Sequence, residues 1–175
     1  NKIRKGLEDL DEKSGERALW ELVQNARDTS SEARIKVELN DTNIIFSHHG
    51  KPFDYTSFRA LVKQDSSKDR NGADQVGQYG TGFMTTHAFN RLVYVSGPFV
   101  VKTGEETIKG YVQVKDFELD RTLVDTAEGP KKMKEQLEKV KQLWKGELLQ
   151  KINDDATSFR YDLTPSQVRN VSDQL

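Results

Sequence analysis

The hydrophobic pattern of this chain changes from a helical period to a strand-like period early in the sequence, and this change restricts the possible folds. Residues 15–29 repeat apolar side chains at helical spacing, with Ser14 as the expected cap. Residues 34–39 then alternate polar and apolar side chains, and residues 43–47 run back as a second strand after a turn at 40–41. A helix followed by a hairpin predicts an α+β domain.

The rest of the chain continues with strands and helices. Residues 58–62 indicate a short helix and residues 63–75 are almost wholly polar. Further along, the pattern predicts strands over 92–96, 99–102 and 107–115 with a turn at Gly104, a helix over 130–152 and a last strand over 158–163. This order predicts a two-layer α/β sandwich, with helices on one face of a mixed, mostly antiparallel sheet. We expect residues 1–175 to form one domain, and a first residue other than Met is compatible with the N-terminal part of a longer protein.

Composition narrows the class of protein. Lys and Arg number 27 against 28 Asp and Glu, a net charge of -1 that gives no basic field for nucleic acid. The mean hydropathy is -0.77, and the sequence contains neither an apolar run of membrane-span length nor a signal peptide. Cysteine is absent and there are three histidines, too few for the usual zinc motifs. We therefore expect a cytoplasmic protein with no membrane partner.

A polar row on the first predicted helix is the first candidate for chemistry. Glu21, Asn25 and Asp28 stand at i, i+4 and i+7, so they share one face while Leu22 and Ala26 can face a core. Two carboxylates and a carboxamide in one pocket suit water activation and a hard metal ion. The alternative is an ordinary solvated helix face.

A glycine-rich stretch about fifty residues later is the second candidate. It reads Gly77-Gln78-Tyr79-Gly80-Thr81-Gly82-Phe83 and leads into an apolar, threonine-rich segment, which predicts a loop that enters a helix. Such glycines let the backbone approach phosphate oxygens, and the free N–H groups at the helix start can bind them. The spacing excludes a P-loop and the dinucleotide-binding fingerprint, and the companion motifs of a protein kinase are missing.

Between these two segments lies His48-x-Gly50-x-Pro52-Phe53, at the end of a predicted strand. Taken together, the three segments resemble the ordered motifs of the GHKL ATPases, the superfamily of gyrase B subunits, heat-shock ninety chaperones, histidine kinases and MutL proteins. The resemblance covers about residues 15–165 and is strongest to chaperone-like, MORC-like and sacsin-like branches. It implies the Bergerat ATP-binding fold of that group, with ATP and Mg²⁺ as its ligands.

The resemblance also implies individual roles. Glu21 would be the general base that activates water, Asn25 the magnesium ligand and Asp28 a supporting residue. Gly50 would leave room for adenine, and Thr157 would reach the adenine edge through water. The glycine stretch, including Gln78, Tyr79, Thr81 and Phe83, would surround the phosphates. Lys68 would stand at the start of a lid that closes over bound nucleotide and drives conformational change; a plain surface loop is the alternative for that stretch.

One position departs from the family. Most members have an aspartate that accepts a hydrogen bond from the adenine amino group, whereas this chain has His48, followed by His49. A neutral imidazole can accept that hydrogen bond, but a protonated one cannot, so we expect ATP affinity to weaken from pH 7.5 to 5.5. Asp54 is the alternative acceptor, and the two histidines can also be ordinary turn residues.

Three functions remain open on these grounds. The first is a chaperone-like ATP hydrolase, with a client protein, downstream domains or an ATP-dependent homodimer as partners. The second is a histidine-kinase-like phosphotransfer domain, and the third is a nucleotide-binding module without hydrolysis. Glu21 favours hydrolysis over phosphotransfer, because a kinase does not need to activate water. Slow turnover is expected in isolation, since the family often completes its site with a lysine or arginine from a following domain.

Overall fold

The computed structural model describes residues 14–30, 32–63, 81–104 and 107–173. The first half of this part contains α1 (Ser14–Thr29), β1 (Ile35–Leu39), β2 (Asn43–His48), α2 (Tyr55–Lys63) and α3 (Thr81–Thr85), the last followed by a 3-10 turn (Thr86–Ala88). The second half contains β3 (Leu92–Thr103), β4 (Thr107–Asp120), α4 (Gly129–Leu143), β5 (Thr157–Asp162) and α5 (Pro165–Ser172).

The five strands form one sheet in the order β1-β2-β5-β3-β4. Two hairpins, β1-β2 and β3-β4, lie on either side of β5, which pairs with β2 over its whole length and with β3 over a shorter stretch. All of these pairs are antiparallel. The last strand in the chain therefore joins two locally formed ribbons into one sheet.

The register divides the sheet into an apolar inner face and a polar outer face. Phe159 of β5 is paired with Phe46 and Val95 on its two sides, and all three side chains are buried. The next residue, Arg160, is on the opposite face, where its guanidinium lies 4.0 Å from the centre of the Tyr94 ring. Because side chains alternate along a strand, one hydrophobic core forms on the inner face only.

Apolar residues from the helices complete this core. Leu22 of α1, Phe58 of α2, Val140 of α4 and Val171 of α5 all belong to the same buried cluster as the inner-face strand residues. Phe53 lies at its centre, with its ring 5.3 Å from those of Phe58 and Phe99. The helices thus form a second layer over one face of the sheet.

These observations confirm the predicted α+β class and the mostly antiparallel sheet. Three differences from the sequence pattern affect the packing. Strand β3 continues through Gly97 and Pro98, where the pattern predicted a break. Gly97 has φ +151° and lies at a β-bulge. Within the described residues the β3–β5 pairing ends at Ser96, so pairing with β5 does not require the backbone N–H that Pro98 lacks.

The second difference is the end of α4, at Leu143 rather than residue 152. Beyond it the Trp144 indole N–H donates to the Val100 carbonyl oxygen at 3.3 Å. Leu149 then exchanges two backbone hydrogen bonds with Tyr111 of β4. The apolar stripe that suggested a longer helix therefore continues onto the sheet in a different conformation.

The third difference is α5, which the pattern analysis missed. Thr164 and Gln167 form a capping box at its start, with Pro165 in the first turn. This combination is a sequence signal for a helix N-terminus. Among the described helices, none has both the length and the apolar composition of a membrane span.

The side chains of Arg121 and His87 are buried beside the core. Arg121 is 2% exposed and donates to the carbonyl oxygen of Val62, at the C-terminal end of α2. Burial, and after it the charges of Arg121 and Arg91, lowers the pKa of His87 to about 3, against a contact with the Asn90 carbonyl oxygen that raises it. His87 therefore stays neutral in the folded protein at pH 5, where a histidine of ordinary pKa is protonated.

We expect this burial to make stability depend on pH. The unfolded chain binds a proton at His87 near pH 6.5 and the folded chain does not, so stability is complete above that pH and declines below it towards pH 3. Between pH 7 and pH 5 the expected contribution of one such histidine is about 2 kcal/mol. Urea denaturation of the parent and of His87→Asn at both pH values measures this difference.

A direct titration provides a check that does not depend on how the variant folds. The sequence has only three histidines, so their imidazole proton resonances are readily separated by NMR. The His87 resonance should not titrate above pH 5. A midpoint between pH 6 and 7 would contradict the assigned environment.

Candidate functional site

Helix α1 places the three polar residues along the margin of its buried face. Asn25 is 7% exposed, the Glu21 side chain is 17% exposed, and Asp28 is exposed. Glu21 is 3.7 Å from Arg17, a loose pair one turn away on the same helix. Burial therefore decreases from the carboxamide to the two carboxylates.

The carboxamide of Asn25 has an unsatisfied group. Its Nδ2 atom is buried and makes no hydrogen bond to any residue that the structure describes. An unsatisfied buried polar group costs about 1–3 kcal/mol, so such a group requires an explanation. A half-turn of the amide exchanges its nitrogen and oxygen, so the same position can present a donor or an acceptor.

The second motif lies at the end of β2, beside the start of β5. His48 is 1% exposed and is the register partner of Thr157, which is also buried. The His48 ring lies nearly parallel to that of Phe159, with centroids 6.3 Å apart and planes at 15°. His48 and Thr157, both predicted to bind the base, are distant in the sequence, and the pairing of β2 with β5 brings them together.

Gly50 connects this end of the sheet to α1. A Cβ atom at Gly50 would lie 2.3 Å from Thr29 Oγ1 and 3.5 Å from His48 Nδ1. Thr29 is the last residue of α1, and its hydroxyl donates to the Ala26 carbonyl oxygen at 2.7 Å. The helix end approaches the strand end this closely only because residue 50 has no side chain.

The third motif is described in part. Thr81 and Gly82 are the first two residues of α3, and α3 packs against α1. Phe83 is fully buried, and its ring centroid is 5.4 Å from that of Phe159. The remaining predicted residues of the stretch and its lid, Lys68, Gly77, Gln78, Tyr79 and Gly80, lie outside the described residues.

The three segments therefore meet at one end of the sheet. Phe159 contacts both His48 of the second segment and Phe83 of the third, while Gly50 touches the C-terminal end of α1. We call this region the α1–β2–α3 corner. The segments that meet there carry a carboxamide, a carboxylate, an imidazole and a hydroxyl, which are groups that bind polar ligands.

Two clefts differ from this corner in their lining. Asp28 lines a cleft of about 430 Å³ on the exposed side of α1, together with Trp20 and Arg27. A larger cleft of about 940 Å³ lies between β4 and α4, where Phe117 and Leu143 are among its lining residues. The larger cleft contains no predicted site residue and has mostly apolar walls, so we place the candidate site at the α1–β2–α3 corner.

The environment of His48 corrects the expected pH dependence of ATP affinity. Burial, and after it the charge of His49, lowers the pKa of His48 to about 4, against a backbone hydrogen bond that raises it. Its imidazole is therefore neutral from pH 7.5 to 5.5, and the expected protonation of His48 in that range does not occur in the folded protein. The expectation used the ordinary pKa of histidine, whereas the ring is buried beside Phe159.

The alternative acceptor, Asp54, is already engaged. Its Oδ1 accepts a hydrogen bond from the Ser57 backbone N–H at 2.8 Å, and its Oδ2 accepts one from Lys102 Nζ at 3.0 Å. Burial alone would raise the pKa of Asp54, but these contacts with Ser57 and Lys102 lower it below its ordinary value. Asp54 therefore caps the N-terminal end of α2, and His48 is the better candidate for base recognition.

The structure also reveals a side-chain cluster that the sequence analysis missed. His49 contacts Asp155 and lies 3.8 Å from Asp154, two residues that precede β5. No local sequence signal connects positions so far apart.

Comparison of the chain with protein-family models, with characterised proteins and with solved structures found no match.

We expect Gly50→Ala to destabilise the protein through Thr29. The added methyl group would overlap the Thr29 hydroxyl and disturb its hydrogen bond to Ala26, at an expected cost of about 1–3 kcal/mol. In a Thr29→Ala background the same substitution should cost at least about 1 kcal/mol less, because residues in contact are not additive. Urea denaturation of the parent, both single variants and the double variant measures this coupling. Equal costs in the two backgrounds would refute the close approach.

Proposed function

We propose that this chain is an ATP-binding domain of the GHKL type that binds magnesium-ATP and hydrolyses it slowly. The observation that carries the proposal is the meeting of α1, the end of β2 and the start of α3 at one corner of the sheet. These are the segments whose motifs resemble that superfamily, and they are well separated in the sequence. A chance resemblance in three segments gives no reason for them to meet.

Asn25 supports a role in binding the ion. Its buried amide nitrogen lacks a hydrogen-bond partner within the described part of the chain, which is reasonable for a side chain that acquires a partner from a ligand. An amide oxygen is a neutral, hard donor suited to Mg²⁺, which retains several waters and also binds substrate phosphates. Mg²⁺, when bound, supplies positive charge next to the phosphate oxygens.

Glu21 is one helical turn before Asn25 and is the proposed general base. Its side chain is mostly buried, and its described ion pair with Arg17 is loose, so the carboxylate remains able to accept a proton from water. The resemblance assigns Asp28 a supporting role, and in this structure Asp28 is exposed. We assign the catalytic role to Glu21 alone.

The base-binding side of the proposed site consists of His48, Gly50 and Thr157. A neutral His48 imidazole can accept a hydrogen bond from an exocyclic amino group. Thr157, its partner across the β2–β5 pair, adds a buried hydroxyl group at the same level of the sheet. The glycines of the third motif and Lys68 keep the roles that the resemblance implies, as predictions.

Two other functions are compatible with the same fold. A phosphotransfer domain would pass the γ-phosphate to a histidine of a partner, and a nucleotide-binding module would not cleave it. The position of Glu21 beside Asn25 favours hydrolysis over both, because neither alternative needs a base for water. A cytoplasmic location, a client protein or downstream domains, and ATP-dependent dimerisation belong to the same proposal.

We expect Asn25→Ala to weaken magnesium-ATP binding without lowering the stability of the ligand-free protein. Magnesium-ATP at 100 times its dissociation constant should raise the unfolding free energy of the parent by about 2.7 kcal/mol. Asn25→Ala should lose the magnesium-dependent part of this gain yet be no less stable without ligand, because the substitution removes an unsatisfied buried amide. Melting curves with ATP, with and without Mg²⁺, measure both effects.

Asn170→Ala is the matched control, since Asn170 is an exposed asparagine on α5. It should retain the full gain from magnesium-ATP. An unchanged melting temperature of the parent at millimolar magnesium-ATP would contradict the proposed ATP binding. Equal gains in Asn25→Ala and Asn170→Ala would remove Asn25 from the site.

We expect Glu21→Gln to bind magnesium-ATP like the parent and to lose hydrolysis. Glutamine keeps the shape of the side chain but cannot take a proton, and loss of a general base lowers a rate by about 10²–10⁴-fold. ATP labelled at the γ-phosphate distinguishes the three functions. Free labelled phosphate supports hydrolysis, labelled protein supports phosphotransfer, and intact ATP supports binding alone. Glu135→Gln, an exposed glutamate on α4, is the control.

A further inference from the structure

We propose that His49, Asp154 and Asp155 form a binding site for a divalent transition-metal ion, with ligand residues different from those of the proposed ATP site. His49 follows β2, and the two aspartates lie in the segment before β5. One ligand atom from each residue lies within 4.8 Å of the others. We call these residues the His49 cluster.

The donor set selects the class of ion. One imidazole and two carboxylates suit Zn²⁺, Co²⁺ and Mn²⁺, whereas Mg²⁺ and Ca²⁺ prefer ligand sets made of oxygen alone. Two ionised carboxylates balance the charge of a divalent ion.

The spacing is close to what such an ion requires. Metal–ligand bonds of about 2.1 Å place neighbouring ligand atoms about 3.0–3.4 Å apart. His49 Nδ1 is 3.8 Å from Asp154 Oδ1 and makes a closer contact with Asp155 Oδ1. Both carboxylate side chains are at least half exposed, so small rotations can equalise the distances.

The backbone fixes two of the three ligand residues. The His49 backbone N–H donates to the Arg34 carbonyl oxygen at 2.9 Å, which holds the residue at the edge of the sheet. The Asp154 carboxylate accepts a hydrogen bond from the Ala156 backbone N–H at 2.9 Å, which orients it. Such contacts behind the ligands are typical of metal sites, because they orient the donor atoms.

The exposure of the three histidines shows which imidazole can bind an ion from solvent. The sequence contains three histidines and no cysteine, and His48 and His87 are both buried. Only His49, whose side chain is 33% exposed, offers an imidazole that an ion can reach from solvent. We therefore expect metal binding through an imidazole of the folded protein to occur at the His49 cluster.

The test is a calorimetric titration of Zn²⁺ into the full chain in the absence of nucleotide. We expect one ion per chain, with binding at least tenfold weaker in His49→Gln, Asp154→Asn and Asp155→Asn. Asp162→Asn is the matched control, because Asp162 is an exposed aspartate at the other end of β5. Asn25→Ala should bind Zn²⁺ like the parent, so failure of the ATP proposal and failure of this one are distinguishable.

NMR gives a second readout on the unmodified protein. Mn²⁺ should broaden the His49 imidazole resonance first, whereas Mg²⁺ at the same concentration should not. Absence of Zn²⁺ binding by the parent would overturn the proposal. Loss of binding in His49→Gln with no loss in either aspartate variant would also overturn it, since it would indicate a lone surface histidine.

Discussion

Strand β5 depends on burial of Phe159, and both the sheet and the candidate site depend on β5. Phe159 is fully buried and contacts Phe53, Phe83 and His48, which belong to three separate segments of the chain. Without β5 the chain would have two hairpins with no shared core, and isolated hairpins are at most marginally stable. The same aromatic ring thus closes the sheet and brings the second and third motifs together.

Polar groups are buried at the α1–β2–α3 corner at a cost in stability. Asn25 has an unsatisfied amide nitrogen, and His48 is kept neutral by burial. A stable fold does not require either group, because apolar side chains of similar size would pack there without losing hydrogen bonds to water. Proteins usually retain such destabilising polar groups at sites that bind ligands. The corner is therefore a functional candidate on energetic grounds, in addition to its resemblance to known motifs.

Much of the candidate site could be predicted from local sequence, because its residue types stand in short segments. The spacing of Glu21 and Asn25 on one helix is fixed by helical geometry, and α1 was predicted almost to its ends. The pKa of His48 could not be predicted in this way. A turn between polar residues indicates exposure, and only the rings of Phe46 and Phe159 on either side show that the imidazole is buried.

The sequence alone determined the α+β class, the two hairpins, the helical position of the polar residues and the presence of a helix at the end of the third motif. Hydrophobic period and turn residues encode these features locally. Only the tertiary structure decided that β5 lies between β2 and β3, that Gly50 touches Thr29, and that His49 meets Asp154 and Asp155. The reason is physical: these contacts join residues distant in the chain, and they form only when several apolar faces are buried in one core.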